Sequence, residues 1–351
     1  MSIEFLGNKR QLAAFIEENI RRYTKECRSC MDLFSGSGSA SVIFKRMGYQ
    51  VYANDFLYFS TILTKAVLLN NEPPAFESIG MDFNGKSNAE RYRQVLDFLN
   101  NLEGKRGFIF EHYSPAAIET DGVERMYFTK ENAKKIDVMR QQIDDWKNDL
   151  TDNEFALLLS DLLKAVAPVS NIAGTYGCYM KYWKKRAINP IRLNPAPFFD
   201  GCKAKAADIF CERAEKLAGK FYCDIVYADP PYTKRQYGAY YHLLETIAQN
   251  DTPKISGTTG LRDWAEKSSD FCYKKRALGA LELILSRVKC KYFVMSYNNE
   301  GQMIHEKIVE LMSKYGNLEI CETNYKKYKS NNAVKESKVT ERLYILEMGS
   351  S

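Results

Sequence analysis

Ile225-Val226-Tyr227-Ala228-Asp229-Pro230-Pro231-Tyr232 is the stretch on which the reading of this chain turns. An apolar run from Phe221 to Ala228, broken only by Asp224, reads as a strand of a buried sheet. It meets an acid, two prolines and an aromatic ring. Two successive prolines fix φ and remove two backbone donors. The chain therefore leaves the sheet as a rigid turn with its carbonyls free, flanked by Asp229 and Tyr232. Oxygen acceptors beside a ring suit a planar amine, since the oxygens take the NH₂ hydrogens and the ring covers the flat face. Asp229, Pro230, Pro231 and Tyr232 are the candidate catalytic group.

Working outward, Asp32-Leu-Phe-Ser-Gly-Ser-Gly-Ser39 follows a short strand and opens a helix carrying Val42, Ile43, Phe44 and Met47, with Gly48 closing it. Gly36 and Gly38 allow close approach of the backbone to a ligand, and the helix start receives polar groups. The turn lacks the third glycine of a dinucleotide fingerprint. No Gly-Lys-Ser/Thr follows directly, so this turn is not a nucleoside triphosphate loop. The next strand, Val51 to Ala53, ends at Asn54-Asp55, where nucleoside-binding folds place an acid against ribose hydroxyls. Taken alone, the turn also reads as an ordinary strand-to-helix connection and Asp55 as a solvated turn residue. Strand, glycine turn, helix and strand together predict the first unit of a doubly wound parallel sheet in an α/β domain. A helix is expected over Gln11 to Tyr23. Strands return at Tyr292 to Ser296, Leu318 to Tyr328 and Lys338 to Glu347.

These motifs resemble those of the Dam-like alpha class of adenine-specific DNA methyltransferases. Phe5-Leu-Gly-Asn-Lys9 is similar to the family's N-terminal cofactor motif, although Phe5 stands where some relatives carry Trp. Asp32 to Ser39 resembles the glycine-rich cofactor loop, Asp55 the ribose-binding acid, and Asp208 the acid that reads the cofactor adenine. Asp229 to Tyr232 resembles the catalytic DPPY motif, Tyr292 to Tyr297 the strand after it, and Val339 to Leu346 the closing strand. The order of motifs is that of the alpha class. The resemblance implies a Rossmann-like, S-adenosylmethionine-dependent methyltransferase sheet with an inserted, mostly helical target-recognition domain. The catalytic domain is expected over 1–75 and 198–351, and the insert over 76–197. The cofactor set it implies is Phe5, Lys9, Asp32, Phe34, Gly36, Gly38, Ser39, Asp55, Asp208 and Asp229. The implied activity is methyl transfer to the exocyclic amino group (N6) of adenine in a specific double-stranded DNA site, by base flipping. Such an enzyme serves a restriction–modification system, with a cognate restriction endonuclease encoded separately, or stands as an orphan.

Other readings compete with this one. An enzyme of the cytosine amino group usually shows Ser at Asp229, and a glutamine-directed one Asn. A carbon-directed cytosine enzyme needs a Pro-Cys nucleophile, and no Pro-Cys dipeptide occurs. RNA adenine as substrate and a catalytically inactive DNA-binding relative stay open as alternatives.

Between Asn71 and Pro197 the chain turns to charged helical segments and Pro73-Pro74. Tyr176 to Leu193 carries Lys181, Lys184, Lys185, Arg186 and Arg192 without an acid, interleaved with Tyr179, Tyr182 and Trp183. Mixed basic and aromatic residues suit phosphate contacts and base wedging; a solvated amphipathic helix is the plainer alternative. Lys234, Arg235 and Tyr237, just past the catalytic turn, are positioned in sequence to clamp a phosphate. Lys326, Lys327 and Lys329 read equally as a second clamp or as a charged hairpin tip.

Composition sets the outer bounds. In 351 residues, 45% are hydrophobic and 27% charged, a balance that excludes a disordered or collagen-like chain. Fifty Lys and Arg against forty-four Asp and Glu give +6, compatible with a polyanionic partner. The longest apolar stretch, Phe155 to Val169, is interrupted by Asp161 and Lys164, so no membrane span is expected. Glu4 and Lys9 sit where a secretory signal needs apolar residues, which points to the cytoplasm. Nine cysteines, an odd number, read as reduced thiols. With Cys27-x-x-Cys30 alone and three scattered histidines, no metal site is expected.

Overall fold

A computed structural model describes residues 9–198, 208–326 and 338–349. The chain divides into two compact units. One comprises 7–64, 202–237 and 267–351, and the other 1–6, 65–201 and 238–266. The second unit thus takes in 65–75 and 238–266 in addition to the segment 76–197.

The first unit is built on a seven-stranded sheet. Its strands are β1 (Ser29–Asp32), β2 (Gln50–Asn54), β3 (Asp208–Phe210), β4 (Tyr222–Ala228), β5 (Lys289–Asn298), β6 (Gly316–Lys326) and β7 (Lys338–Met348). They lie in the order β3-β2-β1-β4-β5-β7-β6. The first five run parallel, whereas β7 is antiparallel to both β5 and β6. The sheet is therefore mostly parallel, as the strand–turn–helix pattern requires. Ile225 to Ala228 are all buried, which accounts for the apolar run of β4.

The strand order reverses between β1 and β4. The chain winds outward from β1 to β2 and β3, then returns to form β4 on the other side of β1. At such a switch point the loops beyond the two carboxyl ends diverge and leave a crevice for a ligand. The register sets Asp32 opposite Tyr227, so the glycine turn and the Asp-Pro-Pro-Tyr turn leave the sheet from neighbouring strands at the same level.

The second unit is dominated by the helices Asn88–Asn101, Lys130–Asp145 and Asp152–Val169. The last begins at a capping box, in which the Thr151 hydroxyl and Glu154 carboxylate satisfy each other's backbone N–H groups. It is buried on nearly every face, Asp161 included. Asp161 is held by the Tyr92 hydroxyl, and burial raises its carboxyl to about 7. No helix among the described residues is long and apolar enough to cross a membrane.

The stretch Tyr176 to Leu193 is not an amphipathic helix. It is a loop with one bridge, Ile172 to Tyr179, and a single 3-10 turn at Lys185–Ile188. Its first half is organised by the fully buried Asn171, and its second by Asn132, which bonds Ala187, Asn189 and Ile191. The Asn171 side chain donates to the carbonyls of Met180 and Tyr182 at 3.1 and 3.0 Å and accepts from the Lys184 amide at 3.1 Å.

Candidate active site

Segments far apart in sequence converge within the first unit on the carboxyl ends of β1 and β4. Gly36 and Gly38 have φ of +53° and +79°, the left-handed conformation that glycine adopts with least strain. Gly38 is the N-cap of the helix Ser39–Arg46, and Ser39 and Ser37 share a hydrogen bond at 2.9 Å. Asp32 is fully buried beneath the turn. It accepts from the Ser41 hydroxyl at 2.6 Å and the Phe34 amide at 3.3 Å, and burial pushes its carboxyl up to about 6. Its hydrogen bonds are with the loop and the start of the helix, so it braces the glycine turn from below. Phe34 is half-buried, edge-on to Phe271 with ring centres 5.5 Å apart.

Asp55, just past β2, is tied into the same turn. One carboxylate oxygen accepts from the Gly36 amide and the other from the Leu57 amide, both at 2.9 Å. Beside it Asn54 bridges three strand ends, donating to the carbonyls of Leu33 and Glu212 and accepting from the Glu212 amide. Asp208 stands apart from this cluster. It is exposed and opposite Tyr52, two residues short of the rim that Asn54 and Phe210 form. Phe5 lies outside the described residues, as do Lys327 and Lys329, while Lys326 closes β6.

A buried charge cluster adjoins the Asp229-Pro-Pro-Tyr232 turn. Lys9, in the 3-10 turn Lys9–Leu12, is 4% exposed, with its ammonium 3.1 Å from Asp229 Oδ1 and 2.7 Å from Glu341 Oε1. Glu341, on β7, is 1% exposed and also accepts from the Ser296 hydroxyl of β5 at 2.6 Å. Burial works against the charge on Lys9, but Asp229 and Glu341 together outweigh it and hold the ammonium well above its ordinary value. Asp229 is 16% exposed, and burial lifts its carboxyl to about 7, Lys9 opposing the rise and Glu341 and Asp32 adding to it. Pro230 and Pro231 are buried. Tyr232, at 6% exposure, belongs to the apolar core with Phe271, Tyr297 and Met303. To stack on a base its ring must swing out or its neighbours must part.

The basic residues divide by environment. Lys181, Lys185, Arg186, Lys234 and Arg235 are exposed. Lys184 is half-buried, with its ammonium 2.7 Å from the Ile172 carbonyl, so it holds the loop together. Tyr237 is 7% exposed and begins a short helical turn, a placement that suits packing better than a phosphate clamp. No group of His, Cys, Asp and Glu among the described residues is arranged to hold a metal.

Glu341, Ser296, Asn54 and Asn171 escaped sequence reasoning. For Glu341 a signal existed: Val339, Glu341 and Leu343 share one buried strand face, and a carboxylate between two core positions demands a partner. The two asparagines carry no pattern that distinguishes them from turn residues.

The donor set fits S-adenosylmethionine. A left-handed glycine turn, an acid at the tip of β2 and a buried cluster with two acids against one lysine suit a nucleoside bearing a cationic sulfonium. The model of the D12 class N6 adenine-specific DNA methyltransferase family matches residues 5–316, and the chain belongs to that family. It is 38% identical to the Type II methyltransferase M.FokI of Planomicrobium okeanokoites, over 98% of this chain and 52% of that protein. It is 34% identical to the modification methylase StsI of Streptococcus sanguinis, again over 98% of the chain and 52% of the relative. The chain thus spans about half the length of these two. To the Type II methyltransferase M.NlaIII of Neisseria lactamica it is 33% identical, over 98% of the chain and 99% of the relative. Among solved structures it aligns with a SAM-dependent methyltransferase from Agrobacterium tumefaciens at 10% identity and a TM-score of 0.35, covering 97% of this chain and 62% of that one, a likeness too slight to carry weight.

Proposed function

We propose that the chain methylates the exocyclic amino group (N6) of adenine in a specific duplex DNA sequence, using S-adenosylmethionine. In this reading it is the cytoplasmic modification enzyme of a restriction–modification system, and its nuclease partner is a separate chain. The observation that carries the proposal is the juxtaposition at the switch point: the glycine turn beyond β1, to which Asp55 of the β2 end is bonded, lies beside the Asp229-Pro-Pro-Tyr232 turn beyond β4. Membership of the adenine-specific family and likeness to Type II methyltransferases support it.

The glycine turn and Asp55 would hold the nucleoside part of the cofactor, with Lys9 and the carboxylates around it at the reacting end. When bound, S-adenosylmethionine supplies a methyl group activated by its sulfonium. The chain's residues supply orientation and a proton acceptor. An adenine amino nitrogen is a weak nucleophile because its lone pair is delocalised into the ring. Asp229 and the Pro230 carbonyl accept its two hydrogens, which favours the tetrahedral nitrogen and frees the lone pair. The nitrogen loses one proton for the methyl it gains, and Asp229, with its carboxyl near neutrality, receives it. Alignment of nitrogen and methyl is worth up to about 7–11 kcal/mol of barrier. A stacked base cannot reach such a turn, so the adenine leaves the helix at a cost of a few kcal/mol.

The test is mass spectrometry of nucleosides after incubation with S-adenosylmethionine and DNA. N6-methyldeoxyadenosine is the expected product. Methylated cytosine would refute the reading, and a marked preference for RNA would move it to the alternative substrate.

A further inference from the structure

Glu341 touches neither base nor methyl in the chemistry described above, yet it is placed where few carboxylates are found. It is 1% exposed on β7, inside a sheet, opposite Asn298 of β5 and Thr323 of β6. One oxygen takes both the Lys9 ammonium and the Ser296 hydroxyl, while the other, Oε2, is buried without a hydrogen-bond partner. A buried carboxylate with an unpartnered oxygen is costly unless its charge is used. Its ion-pair partner, Lys9, bridges to Asp229, so three segments distant in sequence form one line of alternating charge: Glu341, Lys9, Asp229.

We propose that Glu341 is a positioning residue, which holds the Lys9 ammonium against Asp229 and sets the proton affinity of that carboxylate. The inference rests on the proposed role of Asp229, but concerns how that role is tuned. Lys9 alone beside Asp229 would stabilise the carboxylate and make it a weak proton acceptor. Glu341 shares the ammonium and adds a negative charge, returning proton affinity to Asp229. The other groups near Asp229 are Asp32 from the end of β1, which acts in the same direction as Glu341, and the ring hydroxyl of Tyr227 on its own strand.

The test is titration of the Asp229 carboxyl carbon by NMR in protein labelled at the aspartate γ-carbons, with the signal assigned by Asp229→Asn. It needs neither cofactor nor substrate, so it stands whether or not the chain methylates adenine. Glu341→Gln keeps the shape and removes the charge, and the Asp229 midpoint should fall. Lys9→Met should move it the opposite way, upward. Glu341→Asp, which restores the charge, should bring the midpoint back toward the wild-type value and serves as the informative variant should the glutamine form fail to fold. A midpoint that is unchanged or raised in Glu341→Gln overturns the proposal, as does a Glu341→Asp protein whose midpoint lies further from wild type than midway to that of Asp229 in Glu341→Gln or, where the glutamine form does not fold, one that is not lowered below that of Lys9→Met. In methylation assays the acid limb of the kcat profile should follow the same shifts. If the limb fails to follow while the NMR midpoint moves, the fault lies with the proposed use of Asp229 and not with Glu341.

Discussion

At the scale of single residues, the site separates atoms that would meet a ligand from atoms that hold those in place. Asp229→Ala should abolish turnover and leave a folded protein, because Lys9 keeps its bond to Glu341. The loss belongs to kcat, since the hydrogen bonds concerned are made as the nitrogen rehybridises; a variant retaining more than about a tenth of wild-type activity would falsify the role. Asp55 calls for a gentler substitution. Its two oxygens anchor the Gly36 and Leu57 amides, so Asp55→Ala disturbs the turn as well as removing a ribose acceptor. Asp55→Asn preserves one acceptor, and calorimetry should show weaker S-adenosylmethionine binding by up to about 1.5–3 kcal/mol, the worth of a hydrogen bond to a charged group. Unaltered affinity would remove Asp55 from the cofactor's reach.

At the scale of elements, the loop from Tyr176 to Leu193 is tied down by Asn171 and Lys184 in its first half and by Asn132 in its second, and none of these roles is visible in the sequence. Lys184 directs its charge at the Ile172 carbonyl, leaving Lys181, Lys185 and Arg186 exposed for phosphates. Neutralising Lys181 and Lys185 together should weaken binding to all DNA sequences. It should also flatten the dependence of log K on log salt by up to about 0.9 for each phosphate no longer neutralised. If affinity and slope are both unmoved, the DNA-facing surface lies elsewhere. A second element tests packing. Tyr92→Phe leaves Asp161 with neither oxygen bonded in a buried helix and should destabilise by about 1–3 kcal/mol. Adding Asp161→Leu should recover part of that loss, because the buried carboxyl is then gone and only the Ala196 amide, which donates to the Tyr92 hydroxyl at 3.0 Å, stays without its partner. Urea denaturation of the two single variants and the double variant measures the coupling directly.

At the scale of the whole molecule, several buried carboxyls favour their protonated forms. Asp32 is raised to about 6, and Asp137, Asp161 and Asp229 to about 7, in each case chiefly by burial. In the unfolded chain these groups lose their protons near pH 3.9. Between that value and pH 7 the native state therefore binds more protons, and its stability declines as pH rises. Asp121 and Asp224 are lowered by their partners and act in the other direction, losing their contribution as the solution is acidified below the ordinary carboxylate range. The urea midpoint should accordingly fall from about pH 5.5 to about 7.5, and Asp161→Asn should flatten that fall. A midpoint that climbs through this interval would show the buried carboxyls to be ionised throughout.

The sequence by itself determined the first unit of a doubly wound parallel sheet and the two turns at its rim. Those features are local: an apolar run, a glycine pair at a helix start and a proline pair each constrain the backbone within a few residues. Asp229 and Asp55 stood out for that reason, whereas Lys9 was singled out only by its likeness to a family motif. Only the tertiary structure decided which charges are available and which are consumed. It sank Tyr232 and Tyr237 into packing, gave Lys184 a carbonyl, left Asp208 short of the rim and joined Glu341 to Lys9 across 332 positions. Burial and ion pairing arise from neighbours distant along the chain, and no window of sequence contains both partners.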